Sequence, residues 1–325
     1  MSTASFGRRA SWRRGDRPPR RNPPPASRPS AYAHAMRIRP ARLDDIDAVV
    51  AFTTDTFPWG DYVPDMFARW LTEDAGITMV AVDDDDVPIA MARAVFLTEH
   101  EVWSHAARVH PDHRGRGIAG DLADALLDWA TDHGGQVMRL LIDDDNLASI
   151  RHITKKGFRR PVSVVRATRG IGAGSPNPEG NGGRRPPSPL APRPAKVRDL
   201  PLVRASWSTS EVGRSMRGLI GAGWRFHRLR DADIEQAARS GNLWEIGNSW
   251  AITGAVEPTF EIHMLDTAPE EAYDVIRALI DTANNRGADA LSAWLADTDW
   301  LVQAARRAGC DVTGHGVWEK PLDPR

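Results

Sequence analysis

Between positions 36 and 168, apolar residues recur with two periods, near 3.6 and near 2, and these alternate in blocks. Leu43, Ile46, Val49 and Val50 share one face of a helix over 43–57. Asp44, Asp45 and Asp47 fall in its first turn, where acids complement the helix dipole. A short strand over 36–40 precedes this helix, and a loop over 58–64 leads to a second helix over 65–73. Apolar runs at 77–82, 87–97 and 101–109 predict three strands joined by acidic turns. Leu122, Ala125, Leu126, Trp129 and Ala130 stripe a helix over Ile118–His133, which Gly134-Gly135 ends. A buried strand follows at 137–142, then a helix over 147–156 and a strand over 162–167. Such an order predicts an α/β (α+β) domain with a mixed central sheet flanked by helices.

The pattern then breaks. Residues 169–195 are dense in Gly and Pro and read as an inter-domain linker. Apolar periodicity returns over 196–325, which holds seven of the twelve tryptophans. Ala272, Val275, Ile276, Leu279 and Ile280 stripe a helix over 270–284, followed by a strand at 290–295 and a helix at 298–307. Gly309-Cys310 then stands where Gly157-Phe158 stood, and a last strand near Val317-Trp318 is expected to close this half's sheet. Shifting by about 153 positions lays 139–146 on 292–299, so the second half reads as a faded copy of the first. An unrelated α/β domain is the alternative.

Composition changes the picture at the ends and in the charge distribution. Residues 1–35 carry eight arginines against one acid, Asp16, with almost no aliphatic side chains. They are expected to be disordered, either as a passive extension or as a nonspecific nucleic-acid tether. The formal net charge of −1 therefore hides a distinctly acidic remainder. A single cysteine, Cys310, excludes an internal disulfide framework and a cysteine-based zinc site, and fits a reducing, cytoplasmic setting. No metal is called for. No apolar run approaches the ~18 residues of a membrane helix, so no membrane partner is expected.

The chemistry concentrates at Arg114-Gly115-Arg116-Gly117-Ile118-Ala119-Gly120, between the strand ending at Val109 and the helix from Ile118. Glycines at a strand-to-helix turn let backbone N–H groups approach a ligand. The helix start adds unpaired donors and a positive dipole end. Together they suit a pyrophosphate. The Arg-x-x-Gly-x-Ala pattern after Val-x-Pro resembles the acetyl-CoA loop of the GNAT acyltransferases. Asn146-x-x-Ser149, followed by Lys156-Gly157-Phe158, resembles that family's next motif.

This resemblance implies a GNAT fold over 36–168, followed by a second, degenerate GNAT-like domain over 196–325. It implies acetyl-CoA as cosubstrate, with the diphosphate on residues 114–120, and Asn146 and Ser149 along the pantetheine arm. Donors near Val109 would face the thioester carbonyl. In the second half, Thr267-Ala268-Pro269-Glu270 stands where the phosphate loop would be; it has no glycine and carries a like charge, which predicts no CoA binding there. Parts of the family use a Glu at the position of Trp103 and a Tyr at the position of Ile153. Both are absent here.

His105 alternates onto the face of Trp103 and is the candidate base, or else a merely polar strand residue. Tyr62 is the candidate proton donor to the leaving thiolate, which otherwise leaves unassisted. Trp59 and Asp61, in the loop where the family lines its acceptor pocket, are the candidate substrate contacts, with Asp61 facing an ammonium; loop packing is the alternative. Trp59–Pro64, Trp70-Leu71 and Ala107-Arg108-Val109 also resemble the vertebrate histidine N-acetyltransferase group, which implies a small-molecule amine acceptor such as a free amino acid. The competing functions are a non-catalytic CoA-binding or sensing module, and a nucleic-acid factor acting through the basic tail.

Overall fold

The computed structural model describes residues 36–57, 60–171, 188–256 and 258–323. The Arg-rich segment 1–35, Trp59 and most of the Gly/Pro-rich segment lie outside them. In the first half the strands are β1 (Arg37–Pro40), β2 (Gly76–Val82), β3 (Pro88–Phe96), β4 (Glu101–Val109), β5 (Val137–Asp143) and β6 (Arg159–Gly170). Its helices are α1 (Ile46–Thr53), α2 (Val63–Trp70), α3 (Ile118–Asp132) and α4 (Leu147–Lys155). The predicted first helix is thus shorter. Leu43–Asp45 is a 3-10 turn, and Leu43 is 65 % exposed, so it does not extend the apolar face.

After β7 (Arg193–Pro194) come α5 (Leu200–Thr209) and α6 (Glu211–Ser215), a hairpin β8 (Leu219–Ala222) and β9 (Arg225–Arg228), and α7 (Asp231–Arg239). Then follow β10 (Leu243–Ile246), β11 (Ser249–Val256), β12 (Thr259–Asp266), α8 (Ala272–Asn285), β13 (Ala290–Ala296), α9 (Asp299–Arg307) and β14 (Asp311–Pro321). From β10 onward this order repeats that of β2 through β6.

Twelve strands form one sheet, in the order β1-β2-β3-β4-β5-β14-β6-β13-β12-β11-β10-β7. The last strand of each half has crossed to the other. β14 pairs antiparallel with β5 (His315 opposite Asp143, Val317 opposite Leu141), while β6 pairs with β13 from Gly170 to Val164. The expectation that each half closes its own sheet is therefore corrected. A buried charge network locks the exchange: Arg139 on β5 donates to Glu101 on β4 at 2.6 Å and to Glu319 on β14 at 3.0 Å. Residues Met36–Arg325 accordingly form one compact unit.

β3 is covered on both faces. Ala90, Ala92 and Ala94 meet the apolar stripe of α3, their small side chains letting the helix sit close to the sheet. Fully burying Leu122 and Leu126 contributes about 2 kcal/mol each. Met91 faces the other side, where α1 and α2 pack. The second half's core is continuous with Val95 and Trp103 of the first.

Candidate active site

β4 and β5 run parallel only from Glu101–Trp103 against Val137–Arg139, and beyond that they part. On its other side, β4 keeps pairing with β3 through a bulge: His105 lies opposite Arg93, Arg108 opposite Met91, and Ala106 between them has φ 58°. Positive φ is costly for a residue with a Cβ and marks a backbone held by its surroundings. The free strand edge therefore begins at Ser104, earlier than expected. Val109 is back in the β3 ladder, and its carbonyl accepts the Arg114 Nε–H at 3.2 Å.

The loop beyond Val109 is shaped by its own residues. The His110 ring accepts the Asp112 N–H at 3.2 Å, and Arg116 donates to the Asp112 carbonyl at 3.0 Å. Gly115 (φ 76°) and Gly117 (φ 88°) are both left-handed, and a Cβ added to either would meet nothing within 4 Å. Gly117 is the N-cap of α3. The first bonds within the helix run from Gly120 and Asp121 to its carbonyl. The N–H groups of Ile118 and Ala119 have no intrahelical carbonyl to meet. Glycines that line open space beside unpaired helix-start donors could hold a diphosphate. α4 crosses close by, with His152 and Lys156 3.2 Å from where a Gly120 Cβ would stand. Asn146 caps that helix, its Oδ1 accepting the Ser149 N–H at 3.1 Å, which leaves the Asn146 amide N–H groups available to a ligand.

The two catalytic candidates meet. The Tyr62 hydroxyl lies 3.4 Å from His105 Nδ1, and the His105 ring packs edge-on to Trp70 at 5.1 Å. Trp70 is seated by Arg93, which donates to its carbonyl at 2.9 Å and to Glu73 at 2.6 Å. Burial, together with the positive charges of Arg225, Arg93 and Arg108, pushes the His105 pKa down to about 3. The imidazole is thus neutral at physiological pH and a poor proton acceptor. This corrects the expectation of a base titrating near neutrality. Burial also raises the Tyr62 phenol, keeping it protonated.

Asp61 has a different task from the one expected. Its side chain is 0 % exposed and is gripped by Arg108 (Nε–Oδ2 2.6 Å, Nη2–Oδ1 3.1 Å), and it accepts the Val63 N–H at 3.0 Å. Burial pushes its pKa up, but the bonds from Arg108 and Val63 outweigh that and leave it below the usual carboxylate range. It therefore fixes the loop to β4 and starts α2, and does not face a ligand. Trp103, 2 % exposed, stacks 5.9 Å from Phe226 of the β8–β9 hairpin, and Ile153 is buried against α3's core. Both departures from the family's usual acid and base are core positions.

One group escaped sequence reasoning. His315, on the exchanged strand β14, is 5 % exposed. Its Nδ1 lies 2.8 Å from Asp143 Oδ1 at the open end of β5, and its Nε2 lies 3.0 Å from Thr313 Oγ1. Hydrogen bonding to His315, opposed by burial, holds the Asp143 carboxyl below its ordinary value. Its partners are 172 positions apart, and no spacing rule links them. Among the described residues there is no cluster suited to a metal, and no helix is long and apolar enough to cross a membrane.

Comparison with known proteins agrees with this geometry. Residues 46–158 match the family model of the acetyltransferase (GNAT) family. A stretch of 54 residues is 41 % identical to the L-amino acid N-acyltransferase MnaT of Escherichia coli (strain K12), covering 17 % of this chain and 31 % of that protein. The chain thus spans about a third of the length of this curated relative. A GCN5-related N-acetyltransferase from Sphaerobacter thermophilus superposes with a TM-score of 0.62 at 13 % identity, covering 89 % of this chain and 96 % of that one. The GCN5-related glucosamine N-acetyltransferase region of a fungal multi-domain GH3 β-N-acetylglucosaminidase superposes at 0.60 and 14 % identity, over 88 % and 38 %. Both likenesses concern the fold, and they extend across the two halves. The segment 46–158, with its parted β4 and β5 and its glycine loop, thus matches the acetyltransferase (GNAT) family.

Proposed function

We propose that the protein is an N-acetyltransferase that moves the acetyl group of acetyl-CoA onto the primary amine of a small molecule, a free amino acid such as histidine. The observation that carries this reading is that β4, bulged at Ala106 and parted from β5 after Trp103, leads into the left-handed Gly115 and Gly117 at the start of α3. Acetyl-CoA supplies an activated acyl thioester: the amine bonds to its carbonyl carbon, the C–S bond breaks, and the sulfur leaves as thiolate. Residues 114–120 would hold the diphosphate, and Asn146 and Ser149 the pantetheine arm. The unpaired edge of β4 beyond Trp103 supplies backbone N–H groups for the carbonyl oxygen. Fixing the two reactants side by side contributes much of the rate.

Two proton transfers remain. Tyr62, a protonated phenol within 3.4 Å of neutral His105, donates to the departing sulfur. His315, oriented by Asp143, takes the proton of the attacking amine through the Thr313 hydroxyl that its Nε2 faces at 3.0 Å, the arrangement of an imidazole steered by a carboxylate. The 54-residue likeness to an L-amino acid N-acyltransferase supports an amino-acid acceptor.

A second reading, CoA binding without catalysis, is favoured by the absence of the family's Glu and Tyr at Trp103 and Ile153. Incubating the protein with acetyl-CoA and a panel of free amino acids, polyamines and peptides, and recording thiol release, separates the two. Release with amino acids is the expected result. Silence across the panel, with CoA still bound, would favour the sensing module.

A further inference from the structure

The charges of three guanidinium groups act on His105, and two of the three are neutralised. Arg93 donates to Glu73 and Arg108 to Asp61. Arg225, half-buried on β9, has neither an ion pair nor a side-chain hydrogen bond among the described residues. Its place is fixed by the hairpin around it. The Arg228 N–H donates to Glu101 on β4 at 3.1 Å, Gly223 N–H donates to Glu261 at 3.2 Å, and Phe226 wedges between Trp103 (5.9 Å) and Trp294 (5.2 Å). Phe226 thus seats β9 on the β4 residue two positions before His105. Arg225 is near enough for its charge to act on His105, Tyr62 and Arg93 together. A half-buried guanidinium with no counter-ion among the described residues is a ready partner for an anion brought by a ligand.

We infer that Arg225, contributed by the second half, is the anchor for the carboxylate of the acceptor substrate. A guanidinium holds a carboxylate through two parallel hydrogen bonds, which fixes orientation as well as position. In an α-amino acid the amine is one carbon away from the carboxylate. Anchoring the carboxylate at Arg225 therefore sets the amine beside His105 and the bulge of β4. The uncompensated positive charge also disfavours polyamines and amines that lack an acid group. This selectivity rests on the acetyltransferase reading above and adds to it the feature by which acceptors are chosen.

The test compares each amino acid that supports thiol release with its carboxamide and its decarboxylated amine, in the full chain and in Arg225→Gln and Arg225→Lys. In the unaltered protein, kcat/KM should favour the amino acid. Arg225→Gln should raise KM for the amino acid by about ten- to hundredfold, the scale of a lost charged hydrogen bond, and leave the carboxamide unchanged. Arg225→Lys should fall between the two. A Gln variant that keeps the preference for the free carboxylate, with an unchanged melting temperature, would overturn the assignment while leaving the enzyme reading intact. If no acceptor is turned over, that reading fails instead, and calorimetric binding of histidine still decides the role of Arg225. Weaker binding in Arg225→Gln supports the anchor, and equal binding refutes it.

Discussion

The two halves of this molecule share a scaffold from β2 to β6 and from β10 to β14, and within it they differ most at one loop. In the first, β4 and β5 pair in parallel from Glu101 to Trp103 and then part; in the second, β12 and β13 pair from Thr259 to Ile262 and then part. Each half opens with a 3-10 turn whose third residue, Asp45 or Asp199, accepts a backbone N–H three positions back, at 2.7 or 2.8 Å. Beyond the parted strands the likeness ends. The first half has left-handed Gly115 and Gly117 lining open space. The second has Thr267-Ala268-Pro269-Glu270-Glu271, where the Glu271 carboxylate accepts from the Asn248 N–H and the Ser249 hydroxyl. Parted strands are thus a property of topology, whereas an anion cradle is a property of a few loop residues. Topology does not depend on the cradle, and here the second half is a structural partner of the first. It lends β14 to the first half's sheet and the β8–β9 hairpin to its active face.

The strongest way to break this comparison is to separate the halves. A chain ending after Gly170 leaves β5 without β14, Arg139 without Glu319, and Trp103 without Phe226. It should lose its fold altogether, seen as a non-cooperative thermal melt and aggregation on size exclusion. A soluble 36–170 fragment with a cooperative melt would show that the strand exchange is dispensable.

A smaller effect sharpens the role of His105. Its folded pKa, about 3, lies below the 6.5 of an unperturbed histidine. Between those values the unfolded chain takes up a proton that the folded chain refuses. Stability is therefore complete above pH 6.5 and is lost as pH falls toward 3, at about 1.4 kcal/mol per pH unit. Over pH 6.5 to 5, before Asp61 and Asp143 titrate, the unaltered protein should lose about 2 kcal/mol more than His105→Gln in urea denaturation. Equal losses in the two proteins would mean that His105 is not held neutral.

What the sequence made legible was local. The stripe from Leu122 to Ala130, the glycines at 115 and 117, and Asn146 three residues before Ser149 are each written within a few positions, and the structure forms α3, the left-handed turns and the α4 cap there. What it hid was non-local. The apolar run at Val317-Trp318 suits any strand partner, so nothing in it names β5 instead of β13. Asp61 read as a free carboxylate because its partner, Arg108, is 47 positions away. The same holds for Asp143 with His315. Arg225 is one arginine among many until the hairpin packs against β4.

Titration of the full chain with CoA in a calorimeter, with Gly117→Glu alongside, tests the division of labour between the halves most directly. The glycine loop of the first half should bind one CoA per chain. Gly117→Glu, which puts a side chain at φ 88° and a negative charge at the start of α3, should lower affinity at least a hundredfold. Two CoA molecules per chain, or unchanged binding by Gly117→Glu, would contradict it.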